Sequence, residues 1–129
     1  MTTIPATHVD ILHKKSFAHV ATVNADGIPQ VTPVWVDYDG EHVLINSALG
    51  RKKDRNLREQ RHVAVSVQDP DNPYRYLGLQ GVVDEITEEG AEAMIHALSH
   101  KYHGVDYDLP AGQVRVTYKI RPTRVWTMG

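Results

Sequence analysis

The sequence predicts a mainly β fold with short helices: an antiparallel barrel of about six strands. Three observations carry this reading. Runs of β-branched residues alternate with a period of two. Asp-Gly and Asp-Pro dipeptides separate those runs at hairpin distance. One long segment repeats apolar residues at helical spacing. Closure into a barrel follows because it removes exposed strand edges.

The elements can be justified in order. A short helix opens the chain, with Thr7 as its cap, Asp10 as the acid of a capping box, and Val9, Ile11 and Leu12 as its apolar side. Phe17–Asn24 is the first strand, and Asp26-Gly27 turns into a second over Pro29–Tyr38. Pro33 has no N–H to donate, so that strand should lie at an edge or carry a bulge. Asp39-Gly40 leads to a third strand, His42–Ser47, and a short helix fits Gly50–Gln60. Val63, Val65 and Val67 alternate onto one face of the next strand. Asp69–Pro73 is a turn, and Tyr74–Ile86 is a long strand in which Gly78 and Gly81 permit bends or close approach. Thr87 should cap a helix running to about His103, buried along Ala91, Met94, Ile95, Leu98 and Tyr102. After the loop Gly104–Gly112, a strand over Gln113–Ile120 puts Val114, Val116, Tyr118 and Ile120 inward. Pro122 should then interrupt it before a last run, Thr123–Met128.

The chain of 129 residues fits one domain, 1–129. Its net charge of −2 argues against a general nucleic-acid binder. The absence of Cys excludes disulfides, thiolate catalysis, iron–sulfur clusters and Cys-based zinc sites. No apolar run approaches the roughly 20 residues that span a bilayer. The N-terminus lacks the pattern of a signal peptide, so a cytoplasmic protein is expected.

Against that acidic background, Arg51–Arg61 holds six of the 14 basic residues and two acids. The stretch is locally at +4, leaving −6 for the remainder. It begins at an expected helix N-terminus, where free N–H groups favour an anion, although such runs are often only solvated helix faces. His96, His100 and His103 share one helix side, away from Met94, Ile95 and Leu98, and read as a solvated face with no metal site. Ser47, Ser66 and Ser99 lack a nucleophile motif, so no catalytic side chain is assigned. Asp84, Glu85, Glu88 and Glu89 precede a helix, where acids complement the dipole.

Taken in order, GIPQVTPVWVDYDGEHVLINSALGRKKDRNLR and VAVSVQDPDNPYRYLGLQGVVDEITEEGAEAMIHALSHKYHG resemble the flavin/deazaflavin oxidoreductase superfamily. This superfamily includes pyridoxamine-phosphate oxidase and shares a split β-barrel. The match is closest to its branch of coenzyme F420-dependent enzymes and runs from about Phe17 to Val125. The resemblance implies a six-stranded split barrel, FMN-binding-protein-like, that dimerises with its cofactor in the groove between two copies. It also implies a reductase passing hydride from the deazaflavin to a small-molecule substrate, with no nucleic acid or membrane partner. In the family, residues matching Gln30, Val31, Thr32, Pro33, Val34 and Trp35 lie along the tricyclic ring. Those matching Asn46 and Ser47 reach towards the phosphate, Lys52 and Lys53 form the basic pair that Arg51 extends, and Tyr76 matches a polar contact reaching across the dimer. F420 carries a phosphate and several tail carboxylates, which suits so many cations. Alternatives on the same barrel are an FMN-binding oxidoreductase and a non-catalytic F420 or flavin carrier. The C-terminal segment Arg121–Gly129 lacks the Trp…Arg-Leu-x-Pro pattern of pyridoxamine-phosphate oxidases, which argues against vitamin B6 oxidation.

Overall fold

A computed structural model describes residues 2–129. The strands are β1 (Phe17–Val23), β2 (Pro29–Trp35), β3 (Asp37–Tyr38), β4 (Val43–Ala48), β5 (His62–Asp69), β6 (Asn72–Thr87) and β7 (Arg115–Met128). Helices α1 (Asp10–His13), α2 (Lys52–Glu59) and α3 (Ala91–His103) lie between them. All strands form one antiparallel sheet in the order β2-β1-β5-β6-β7-β4-β3. The sheet curls around a core in which Val20, Val65, Leu79, Ile45, Tyr118 and Ile120 are nearly inaccessible.

The strand count rises from the expected six to seven because one expected strand divides. Pro29–Tyr38 breaks at Val36, so its halves β2 and β3 sit at opposite ends of the sheet order. This corner brings the two ends of the curled sheet together. Helix α3 pins it: the Val36 amide donates to the Tyr102 hydroxyl at 3.1 Å, and Lys101 Nζ donates to the Val36 carbonyl at 2.6 Å. Pro33 sits on β2, an outermost strand, where its missing donor is tolerated. Pro122, by contrast, does not interrupt β7. The register with β6 shifts between Gln80 and Gly81, and this bulge absorbs the proline within one 14-residue strand. Val114 lies outside that strand and is 40% exposed, unlike Val116, Tyr118 and Ile120.

Both expected hydroxyl caps are replaced. Val9 is the N-cap of α1, and the Thr7 hydroxyl instead pairs with His8 Nδ1 at 2.8 Å. Thr87 ends β6, and Gly90 begins α3 in the left-handed region at φ 76°. The Thr87 hydroxyl accepts from the Glu89 amide at 3.1 Å.

A charged network ties α1 to the β5–β6 turn. Buried Asp69 accepts from the Asp71 amide (2.9 Å), Arg75 (2.8 Å) and Lys14 (3.0 Å), while Arg75 also grips Asp10 at 2.6 Å. The Asp71 amide, then Arg75 and Lys14, hold the Asp69 carboxyl far below the usual carboxylate range. A depressed folded pKa contributes stability above the unfolded value of about 3.9, and that stability is lost as pH falls through the folded value. Asp69→Asn should therefore melt below the parent protein at neutral pH, with a gap that narrows below about pH 4. Thermal melts between pH 7 and pH 2.5 read this; a constant gap would remove the ionic explanation.

Candidate functional site

The sequence around α2 builds a cation cluster. Strand β4 ends at Ala48, Gly50 turns at φ 87°, and Arg51 enters α2 as its N-cap with extended backbone. Asp54, in the first helical turn, reaches back to the Gly50 amide at 2.9 Å. It also accepts from the Tyr118 hydroxyl and from Arg58 Nε. Burial pushes its carboxyl up, but these three partners outweigh that effect and the net shift is down. Arg58 is thereby neutralised, and Arg61 donates to the Val83 carbonyl. Arg51, Lys52, Lys53 and Arg55 form no ion pair among the described residues.

Arg115 on β7 joins this cluster and was not foreseen. It is only 5% exposed, and its Nε donates to Asn46 Oδ1 at 2.9 Å while Nη1 donates to Gln113 Oε1 at 2.8 Å. Both acceptors are neutral. Burial lowers the Lys53 pKa, and the positive charges of Arg51 and Arg115 lower it further. Burial similarly lowers that of Arg115, again with Arg51 adding to it. Three cations thus repel one another without a counter-charge, an arrangement that an anion would relieve.

Beside the cations lies a cleft of about 220 Å³, lined by Pro33, Val34 and Trp35 of β2, Asn46, the end of Phe17, and Ile95, Leu98, Tyr107 and Arg115. Trp35 stacks on Tyr102 with centroids 5.2 Å apart, and meets His103 and Tyr107 edge-on. Arg115 lies over the Tyr107 ring at 5.2 Å. Tyr107 is placed by its amide, which donates to His96 Nδ1. The three helix histidines are therefore not a uniformly solvated face: His96 holds the loop, His103 touches Trp35, and His100 pairs with Asp106.

The residues singled out in the sequence, Ser47 on β4 and Tyr76 on β6 apart, fall into three places. Pro33, Val34, Trp35 and Asn46 line the cleft. Arg51, Lys52 and Lys53 form the cation end at the α2 N-terminus. The remainder of Gln30–Trp35 lies along β2, whose second edge carries no ladder partner. On that strand Gln30 is in contact range of the Asn56 side chain, and Val31 is exposed. Asn46 has its amide committed to the Ala91 carbonyl, the Thr117 hydroxyl and Arg115, so it orients the guanidinium. Thr32 Oγ1 and Ser47 Oγ are the buried side-chain polar atoms left without any partner among the described residues. Tyr76 is separate: it pairs with Gln68 and Met128 on β6, about 14 Å from β2 at the usual strand spacing.

Phe17, Ile95, Leu98, Tyr107 and Arg115 were missed. Arg115 left one trace, a charge inside the alternating run QVRVTYKI on the face opposite Val116 and Tyr118. Tyr107 left none beyond its place in the loop Gly104–Gly112.

The family model described as pyridoxamine 5'-phosphate oxidase matches residues 4–129. The chain belongs to this family. A solved structure named F420 Reductase is 37% identical, covering 95% of this chain and 98% of that one, with a TM-score of 0.86. A conserved hypothetical protein, Rv2991 from Mycobacterium tuberculosis, is 23% identical over 99% of this chain and 86% of its own, with a TM-score of 0.79. General Stress Protein 26 from Bacillus anthracis shares the fold at 17% identity and a TM-score of 0.72, over 92% and 88% of the two chains. No curated protein sequence matches the chain. The split barrel expected from the sequence is the family's fold, and no described helix is long and apolar enough to cross a membrane.

Proposed function

We propose that this member of the family is a coenzyme F420-dependent reductase acting on a small molecule. One observation carries the reading: Arg51, Lys52 and Lys53 are gathered at the N-terminal end of α2 with no ion-pair partner among the described residues. FMN ends in a single phosphate, whereas F420 adds tail carboxylates that use further cations. The relative named F420 Reductase supports the same choice.

Bound and reduced, the deazaflavin supplies hydride. The chain's own residues bind and orient. The open edge of β2 offers backbone N–H and C=O groups to the ring's pyrimidine edge. Arg51, Lys52 and Lys53 hold the phosphate and tail, helped by Ser47 and the free amides of α2. Trp35, Phe17 and Leu98 exclude water from the adjoining cleft. No protein nucleophile is required.

Two copies of the chain complete the groove. Along β2, β1 and β7 the outer sheet face exposes Val31 (62%), Phe17 (53%), Trp126 (42%) and Met128 (53%), an apolar surface suited to a second copy. Tyr76, remote from the cleft of its own chain, would then serve the partner's groove.

Titration of the cofactor-free protein with F420 and with FMN tests this. Micromolar F420 binding that weakens with salt, in a particle of twice the 14.5 kDa chain mass by ultracentrifugation, is expected. Tighter FMN binding would move the chemistry to flavin. Saturable F420 binding without turnover of any enone or quinone would leave a carrier.

A further inference from the structure

The cleft beside the cation cluster has a composition of its own. Its walls are apolar and aromatic, from Phe17, Trp35, Ile95, Leu98 and Tyr107, and its one charge is Arg115. That guanidinium is 5% exposed, is fixed by two neutral side chains and lies over the Tyr107 ring. A buried cation without a carboxylate partner is costly unless a ligand supplies the counter-charge. Two of its five N–H groups are committed to Asn46 and Gln113, so donors remain for a ligand.

Size and shape narrow that ligand. About 220 Å³ suits a compound of one or two rings, not a dinucleotide. Trp35 is held against both Tyr102 and Tyr107, so the wall it forms is preformed and favours a flat body. A single planar guanidinium matches a single planar carboxylate. A phosphate dianion would find only this one charged donor in the cleft, since Arg51 and Lys53, though close enough to repel Arg115, do not line it.

We propose that this cleft binds a small planar carboxylate, an aromatic or conjugated acid, with its carboxylate on Arg115 and its flat body against Trp35. This deepens the reductase reading and rests on it only for calling the acid a substrate. Arg115 then selects substrates by charge, and Asn46 and Gln113 position it.

Calorimetric titration of the unmodified protein with cinnamate and with cinnamyl alcohol tests the proposal. Cinnamate should bind at least about tenfold more tightly than the alcohol, and Arg115→Gln should abolish that preference. Equal affinities in the unmodified protein, or binding of neither compound, would overturn the proposal without any variant having to fold. The titration is repeated on protein saturated with F420. Retained cinnamate binding supports a site beside the cofactor, and its loss would assign Arg115 to the cofactor and overturn the proposal. Failure of F420 to bind at all would defeat the reductase reading alone, because cinnamate binding is read on the cofactor-free protein.

Discussion

Replacing Lys53 with alanine is expected to weaken F420 binding by about ten- to a hundredfold, while the melting temperature changes little. A charge-assisted hydrogen bond contributes about 1.5–3 kcal/mol, and each 1.4 kcal/mol is a factor of ten in affinity. In the free protein Lys53 has no ion-pair partner among the described residues, and it is repelled by Arg51 and Arg115. Removing it deletes a repulsion and breaks no ion pair, so stability should change little. The salt dependence of binding should become shallower, since one fewer cation meets the ligand. Burial and its two neighbours also lower the Lys53 pKa, so binding should fail at lower alkaline pH than an ordinary lysine would dictate. Lys52→Ala, at an exposed position, should cost less. Unchanged F420 affinity in Lys53→Ala would defeat the assignment of the cation cluster to the cofactor.

Legibility followed the range of the interactions. Local periodicity placed the inward faces well: Val63, Val65 and Val67 are all buried, as are Ile95, Leu98 and Tyr102 on α3. The breaks were misplaced because they depend on partners distant in sequence. Val36 is a corner only because α3 presents Tyr102 and Lys101 to it, 65 residues or more away. Pro122 continues β7 because Gly81 on the facing strand allows a bulge; a Cβ on Gly81 would lie 2.8 Å from the Arg121 carbonyl. The cation cluster shows the same divide. Its Arg51–Arg61 half is contiguous in sequence and visible as a charge asymmetry. Its other half, Arg115, arrives through β7 pairing with β4, which sets Thr117 opposite Asn46 and Arg115 opposite Ala48. Charge counting subtracted Asp54 from the cluster but could not say which cation it pairs with; it pairs with Arg58.

That carboxylate underlies the second large effect. Asp54→Ala should destabilise the protein by about 3–5 kcal/mol, the usual cost of breaking a buried charged network. Asp54 is 1% exposed and joins three elements: the Gly50 amide before α2, Arg58 one turn on, and the Tyr118 hydroxyl on β7. Alanine leaves the Gly50 amide and the inaccessible Tyr118 hydroxyl without their acceptor, each costing about 1–3 kcal/mol. Arg58 is exposed and can return to water, so it adds little. For a chain of this size the melting temperature should fall on the order of 10–20 °C. Tyr118→Phe removes the hydroxyl as well as its need for an acceptor. The double variant Tyr118→Phe with Asp54→Ala should therefore be less destabilised than the sum of the single changes. Additive losses would show that the two groups are not coupled. Asp54→Ala should also weaken F420 binding, even though Asp54 is an acid whose removal makes the cluster more positive. Coulomb's law alone predicts tighter anion binding. Weaker binding means that the acid acts by fixing the Gly50–Lys53 turn, because a preformed array of cations loses less entropy on binding than a loose one. Tighter binding in a variant that still folds at the assay temperature would assign Asp54 to charge balance alone.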